Sequence, residues 1–253
     1  LKILVKASPN LLALSEIYIA ARNCYSDMSP IELWDEALRG LNIKMQDMYN
    51  ENIEFDIDYY DIMMSLVTSC LQRGHLSVME HVKITVSASE ISRVLTHQLI
   101  RHRVASYSQE SQRYVTTSSM FNFITPPEIE SNPASNKIYR EAMDRSFEAY
   151  INIYNILYDK YIDKGLSKSS ADKKATEDAR YVFPNGISTN IVMTVNLREL
   201  VHICNERLCS RAQWEIRGLI QSIADAVSKK YKWLKPYLVA KCKFCGERNF
   251  CNK

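Results

Sequence analysis

Apolar positions along the chain alternate between two periods, and the switches mark its elements. Lys2 to Val5 alternates with period two and reads as a first strand. From Asn10 to Cys24, the residues Leu11, Leu14, Tyr18 and Ala21 recur at helical spacing, predicting a helix. Ile31 to Tyr49 is a second helical stretch with a charged side. Asp58 to Gln72 is a third, with Gly74 placed to stop it. Val82, Ile84, Val86 and Ala88 then alternate with Lys83, Thr85 and Ser87, the pattern of a half-buried strand. Glu90 to Arg103 returns to helical spacing through Ile91, Leu95 and Leu99. Val104 to Ser119 is polar and aromatic, an ordered loop or irregular strand before Pro126-Pro127. A long tyrosine-rich helix (Pro133 to Lys164), a charged helix (Ser167 to Tyr181) and a strand (Ile187 to Val195) follow. Asn196-x-x-Glu199 and Ser210-x-x-Gln213 resemble capping boxes that open two last helices. The second runs to about Tyr231, with Trp214, Leu219, Ile223 and Val227 expected to face inward. No repeat or linker interrupts this order, so a single, mostly helical α+β domain is expected.

Composition narrows the classes. A chain of 253 residues can bury a core without disulfides or metals. No apolar run approaches the ~18 residues of a membrane span, and Leu1 to Pro9 reads as a strand rather than a signal peptide. The net charge of +3 is too small to argue for nucleic acid. Seven cysteines without an export signal point to reduced thiols in a cytoplasm. Cys24, Cys70, Cys204 and Cys209 lie in apolar helical patterns and are expected in the core. Cys242-x-x-Cys245-Gly246 looks like half a zinc knuckle with Cys251 as a third ligand. No fourth ligand is nearby, so no metal is expected. Residues 1–240 are read as the folded domain and 241–253 as a cysteine-containing tail. Glycine matters most. There are six, and neither G-x-G-x-x-G nor G-x-x-x-x-G-K-[ST] occurs. Backbone amides therefore cannot cradle phosphate in those ways, and if this chain binds phosphate, arginine side chains must hold it.

The segment from Gln98 to Tyr114 has the means. Arg101, Arg103 and Arg113 offer planar forks for an anion, against one acid, Glu110. Ser111 offers a hydroxyl. Gln98, Gln109 and Gln112 offer amides that donate and accept, as a uracil edge requires. Val94, Gln98 and Arg101 fall on one helical stripe beside the apolar one. A solvated polar loop is the plain alternative, but such loops seldom set so many bidentate donors beside so few acids.

Arg101-His102-Arg103, followed after seven residues by Ser111 and then Arg113-Tyr114, resembles the signature of the flavin-dependent thymidylate synthases, the ThyX family. Gly74-His75-x-Ser77-x-x-Glu80-His81 upstream is similar to that family's Gly-His segment. Arg180-x-x-x-Pro184, Asn196-x-Arg198 and Asn205-x-Arg207 with Ala212 to Ile216 continue the likeness in order. The resemblance implies a central, largely antiparallel sheet, and FAD held by Ser77, Glu80, Arg101, His102, Arg103, Gln109, Asn196, Arg198 and His202. It implies dUMP held by Gln98, Arg101, Gln109, Ser111, Gln112, Arg113, Arg180 and Arg207. His75 would line a folate or nicotinamide pocket. The chain departs from the family at His202, where asparagine is common, and at Arg211, often histidine, to which no role is assigned.

The activity so implied is reductive methylation of dUMP to dTMP, with methylenetetrahydrofolate as carbon donor and NADPH as reductant of FAD. Arg207 is the catalytic candidate, stabilising charge as uracil N3 ionises. Ser111 lacks a base to activate it and is expected to bind phosphate rather than attack. The resemblance also implies a homotetramer with active sites at subunit interfaces. Two rivals are a single-stranded nucleic-acid binder, using Tyr107 and Tyr114 as stacking platforms, and a flavin-free nucleotide-binding protein. The first leaves the downstream blocks unexplained, and the intact arginines oppose the second.

Overall fold

The structure, a computed structural model, describes residues 1–113, 121–243 and 245. Tyr114, the last residue of the central motif, and Gly246 and Cys251 of the tail lie outside them. The elements are β1 (Lys2–Ala7), α1 (Asn10–Asn23), α2 (Pro30–Leu41), α3 (Ile57–Gln72), β2 (Lys83–Ser92), α4 (Arg93–Leu99), β3 (Ala105–Gln109), α5 (Pro127–Glu130), α6 (Pro133–Asp163), α7 (Lys168–Ala179), β4 (Ser188–Asn196), α8 (Leu197–Arg207) and α9 (Trp214–Lys230). Short 3-10 turns cover Met45–Tyr49, Leu76–Glu80, Arg180–Val182, Lys232–Tyr237 and Lys241–Lys243. The four strands form one antiparallel sheet in the order β1-β2-β4-β3, so the fold is α+β and mostly helical, as expected. No helix among the described residues is long and apolar enough to cross a membrane.

The chain divides into two compact units. The first comprises residues 1–2, 88–101 and 108–192; the second comprises 3–87, 102–107 and 193–253. In the first, α6 packs on α7. Phe121, Met143 and Ile187 form its buried centre, with Phe123, Tyr139, Phe147 and Phe183 against them. Phe121 meets Phe147 and Phe183 edge-on, at centroid distances of 5.6 and 5.5 Å. Along α6, Tyr154 donates to Asp172 of α7 at 2.7 Å. Tyrosine suits this helix because its ring packs while its hydroxyl finds a polar partner.

In the second unit α1 packs on α2 and α3, and α8 on α9. Leu14, Ile17, Leu33, Ala37, Leu41, Met63, Val67, Ile220 and Ile223 are buried there. Each fully buried aliphatic of this size contributes about 1.5–3 kcal/mol. The far end of α9 is tied back to the start of the chain. Tyr231 donates to the Ser8 carbonyl at 2.8 Å and Trp233 to the Asn10 side chain at 3.0 Å.

Several expected boundaries move, each for a local reason. The stretch 31–49 is two elements, because Asn42 adopts the left-handed region (φ 56°) and ends α2. The predicted helix 90–103 is shorter. Strand β2 continues to Ser92, whose side chain accepts from the Leu95 amide at 3.1 Å and starts α4. Ile91 is therefore a strand residue, and Arg101 lies beyond the helix. Of the stretch read as an ordered loop or irregular strand, residues 105–109 are the strand β3. Asn196 caps α8 through the Glu199 amide at 2.8 Å. Ser210 does not cap α9; the Gln213 side chain does, accepting from the amides of Glu215 and Ile216. Trp214 is correspondingly exposed and Glu215 buried, the reverse of the expected inward Trp214. Of the four cysteines expected in the core, Cys204 is buried, Cys70 and Cys209 are half-buried and Cys24 is exposed. The described cysteines, Cys242 and Cys245 included, are free thiols.

Candidate active site

The second unit gathers its polar residues at the start of α8. The 3-10 turn Leu76–Glu80 packs on that helix, and Glu80 forms an ion pair with Arg198. Glu80, Val104, Asn196, Arg198, Glu199 and His202 line a pocket of about 520 Å³. Helical spacing explains the grouping, since Glu199 and His202 stand one turn apart. Arg103 is exposed beside Val104. Ser77 and His75 are exposed nearby in sequence but are not among the lining residues.

His102 is buried at the edge of this group. Its ring meets that of His202 edge-on at 5.8 Å. Arg207 Nε donates to His102 Nε2 at 2.9 Å, and the Tyr107 hydroxyl donates to the His102 carbonyl at 2.9 Å. Burial pushes the His102 pKa down to about 4, with the charges of Arg207 and His202 acting the same way and Glu206 opposing. The imidazole is thus neutral near pH 7. Because Nε2 accepts, the proton sits on Nδ1, which faces Glu199 Oε1 at 3.8 Å. The contact shows His102 holding Arg207 in place. Behind it, Lys241 donates to both carboxylate oxygens of Glu206 at 2.9 Å, so the start of the tail is fixed to α8.

His102, Glu199 and His202 are also the one group of three possible metal ligands among the described residues. The Arg207 guanidinium already occupies His102 Nε2, and its charge opposes a cation there. The group reads as polar lining.

The first unit holds a second cluster. Glu177, near the end of α7, gathers two arginines. Its carboxylate accepts from Arg113 at 3.1 Å and its carbonyl from Arg180 Nε at 3.0 Å. Ser111 Oγ accepts from the Arg113 amide at 3.2 Å, which fixes the turn Ser111–Arg113. Gln109 donates to the Thr96 hydroxyl at 2.9 Å. Gln98 is half-buried on α4, Arg101 is exposed just after it, and Gln112 is half-buried in the turn.

The expected residues therefore divide by unit. Gln98, Arg101, Gln109, Ser111, Gln112, Arg113 and Arg180 belong to the first; His75, Ser77, Glu80, His102, Arg103, Asn196, Arg198, His202 and Arg207 belong to the second. Sequence reasoning missed Glu199, which lines the pocket, and Arg93, whose Nη2 donates to the Glu110 carbonyl at 2.6 Å. The spacing of Glu199 and His202 on one helical face was the available signal for the former.

Residues 6–231 match the family described as thymidylate synthase complementing protein. The chain belongs to that family. Its relatives in the family include the flavin-dependent thymidylate synthase of Clostridium tetani, 42% identical over 210 residues, which are 83% of this chain and 76% of that protein. That of Nitratidesulfovibrio vulgaris is 35% identical over 245 residues, 95% of this chain and 90% of that protein. That of Geobacter sulfurreducens is 36% identical over 204 residues, 80% and 72% of the two chains.

Proposed function

We propose that this chain is a flavin-dependent thymidylate synthase, converting dUMP to dTMP with FAD, NADPH and methylenetetrahydrofolate. The observation that carries the reading is the meeting of Glu80, Asn196, Arg198 and His202 at one pocket, with Arg207 fixed by His102 in the same unit. These residues suit FAD. In a chain without a glycine-rich loop, the pyrophosphate needs cationic side chains, and Arg198 and the exposed Arg103 supply them. FAD, when bound, supplies the redox chemistry. Asn196, Arg198 and His202 would hold it, with Glu80 setting the direction of Arg198.

The protein's own residues do the rest. Ser111, Arg113 and Arg180 bind the nucleotide phosphate, and Gln98, Gln109 and Gln112 address the base edge. Arg101 serves both ligands. Arg207 serves to stabilise the negative charge that uracil acquires, and a neutral His102 keeps its guanidinium aimed. His75 and Ser77 serve the folate and nicotinamide approach and the flavin respectively. We place the catalytic domain at residues 1–240, with 241–253 as a tail outside the site. We assign the protein to the cytoplasm as a homotetramer with active sites between subunits.

The deciding experiment is a visible absorption spectrum of the purified protein, repeated after adding NADPH with and without dUMP. A flavin spectrum that bleaches on reduction, at a rate dUMP changes, is the expected result. Failure to bind added FAD would remove the catalytic reading. A sedimentation mass other than four chains would remove the homotetramer.

A further inference from the structure

We propose that Arg93, Glu110 and Asn190 form a clamp that positions the Ser111–Arg113 turn for the phosphate of a nucleoside monophosphate. This rests on the function proposed above. All the residues concerned lie in the first unit. Arg93 opens α4, where its own amide donates to the Ile187 carbonyl at 3.2 Å and the Val94 amide to the Asn185 carbonyl at 3.2 Å. The base of the arginine is thus held by the segment that follows Arg180. Its Nη2 reaches the Glu110 carbonyl at 2.6 Å. That carbonyl belongs to the peptide joining Glu110 to Ser111, so the bond fixes the plane from which the turn departs.

Asn190 of β4 holds the same residue by its other groups. The Glu110 amide donates to the Asn190 carbonyl at 3.0 Å. The Glu110 carboxylate accepts from the Asn190 main-chain amide at 3.2 Å and from its side-chain amide at 2.8 Å. Two things follow. Ser111 and Arg113 leave a residue restrained through its amide, its carbonyl and its side chain, so their donors are preorganised. The one acid between Arg101 and Arg113 is also engaged by an amide, which keeps its charge directed away from an incoming anion.

Arg93 adds charge as well as order. Its Nε is buried and has no hydrogen-bond partner among the described residues. A buried guanidinium donor of this kind calls for a ligand or water acceptor. Arg180 is near enough to press on the Arg93 charge, and Glu110 supports it. Two guanidinium groups with a donor to spare favour a dianionic phosphate between them.

The test compares dUMP with deoxyuridine, which has the same base and no phosphate, as ligands of the flavin-loaded protein, by titrating the flavin absorbance. Arg93→Gln should weaken dUMP about tenfold, the loss of one charge-assisted hydrogen bond, and leave deoxyuridine unchanged. Turnover at saturating dUMP should stay within about threefold, because the chemistry is elsewhere. Arg93→Lys, which keeps the charge and a donor, should recover most of the dUMP affinity. Asn190→Ala should show a smaller loss of the same phosphate-dependent kind, and it carries the test if Arg93→Gln does not fold. Equal losses for dUMP and deoxyuridine, or unchanged dUMP binding, would overturn the clamp. Wild-type protein that ignores dUMP altogether would instead overturn the proposed function, and the clamp with it.

Discussion

Replacing His102 with glutamine isolates the buried imidazole that holds Arg207. Glutamine keeps a neutral acceptor for the arginine but cannot take up a proton. In the folded protein the His102 pKa is lowered to about 4, against an ordinary value of 6.5. Between those values the unfolded chain binds a proton that the folded protein refuses, so stability falls as pH falls through the window and is level above it. At pH 5 the unfolded imidazole is almost wholly protonated and the folded one only about a tenth so. That difference is about 2 kcal/mol. The wild type should therefore lose about 2 kcal/mol more stability than His102→Gln between pH 8 and pH 5. Groups that titrate in both proteins cancel in the comparison. Urea unfolding followed by circular dichroism, at matched FAD and at pH 5, 6, 7 and 8, measures it. Parallel pH dependences in the two proteins would show that His102 titrates normally when folded, and would refute the lowered pKa on which its role as a neutral acceptor at low pH rests.

Arg207→Ala should retain FAD by absorbance yet lower turnover by about a hundredfold or more, the typical effect of deleting one preorganised donor; near-normal turnover would take Arg207 out of the chemistry. Ser111→Ala should raise the dUMP concentration needed for half-maximal rate by about fivefold to tenfold, one hydrogen bond's worth, with the saturated rate preserved. A dead enzyme with intact dUMP affinity would reinstate Ser111 as a nucleophile. Gly40→Ala should destabilise by about 1–3 kcal/mol in thermal or urea unfolding, because its new Cβ would overlap the Tyr59 ring. That ring is restrained by the Tyr59 hydroxyl, which meets Tyr18 and Glu36, and an unchanged midpoint would show that it moves aside freely.

Periodicity carried the helices and strands whose apolar faces are buried within their own unit. The spacing of Leu11, Leu14, Tyr18 and Ala21 marked α1, and Asn196 announced its own capping role. The misses share a cause, which is that competing local chemistry has no period. Asn42 ends α2 by taking a left-handed conformation where no glycine warned of it. Ile91 and Leu95 are both buried, one on a strand and one on a helix, so the apolar pattern ran unbroken across the Ser92 cap. Gln213 displaced Ser210 as the cap of α9, and the register of Trp214 and Glu215 turned with it. The candidate site residues could be named because their types and order carry chemistry. Arg93 was not, because its partner is a main-chain carbonyl seventeen residues away, and any residue offers a carbonyl.

The scarcity of glycine reaches beyond the fold. Four of the arginines described above are already engaged. Arg198 rests on Glu80, Arg113 on Glu177, Arg207 on His102 and Arg93 on the Glu110 carbonyl. Arg198 and Arg113 have carboxylate partners, so under the function proposed above an arriving phosphate would meet an exchange rather than an empty cradle. The released carboxylate stays on the protein beside the bound anion, repels it, and stands ready to reclaim its arginine. An exchange of that kind would favour quick release over tenacity.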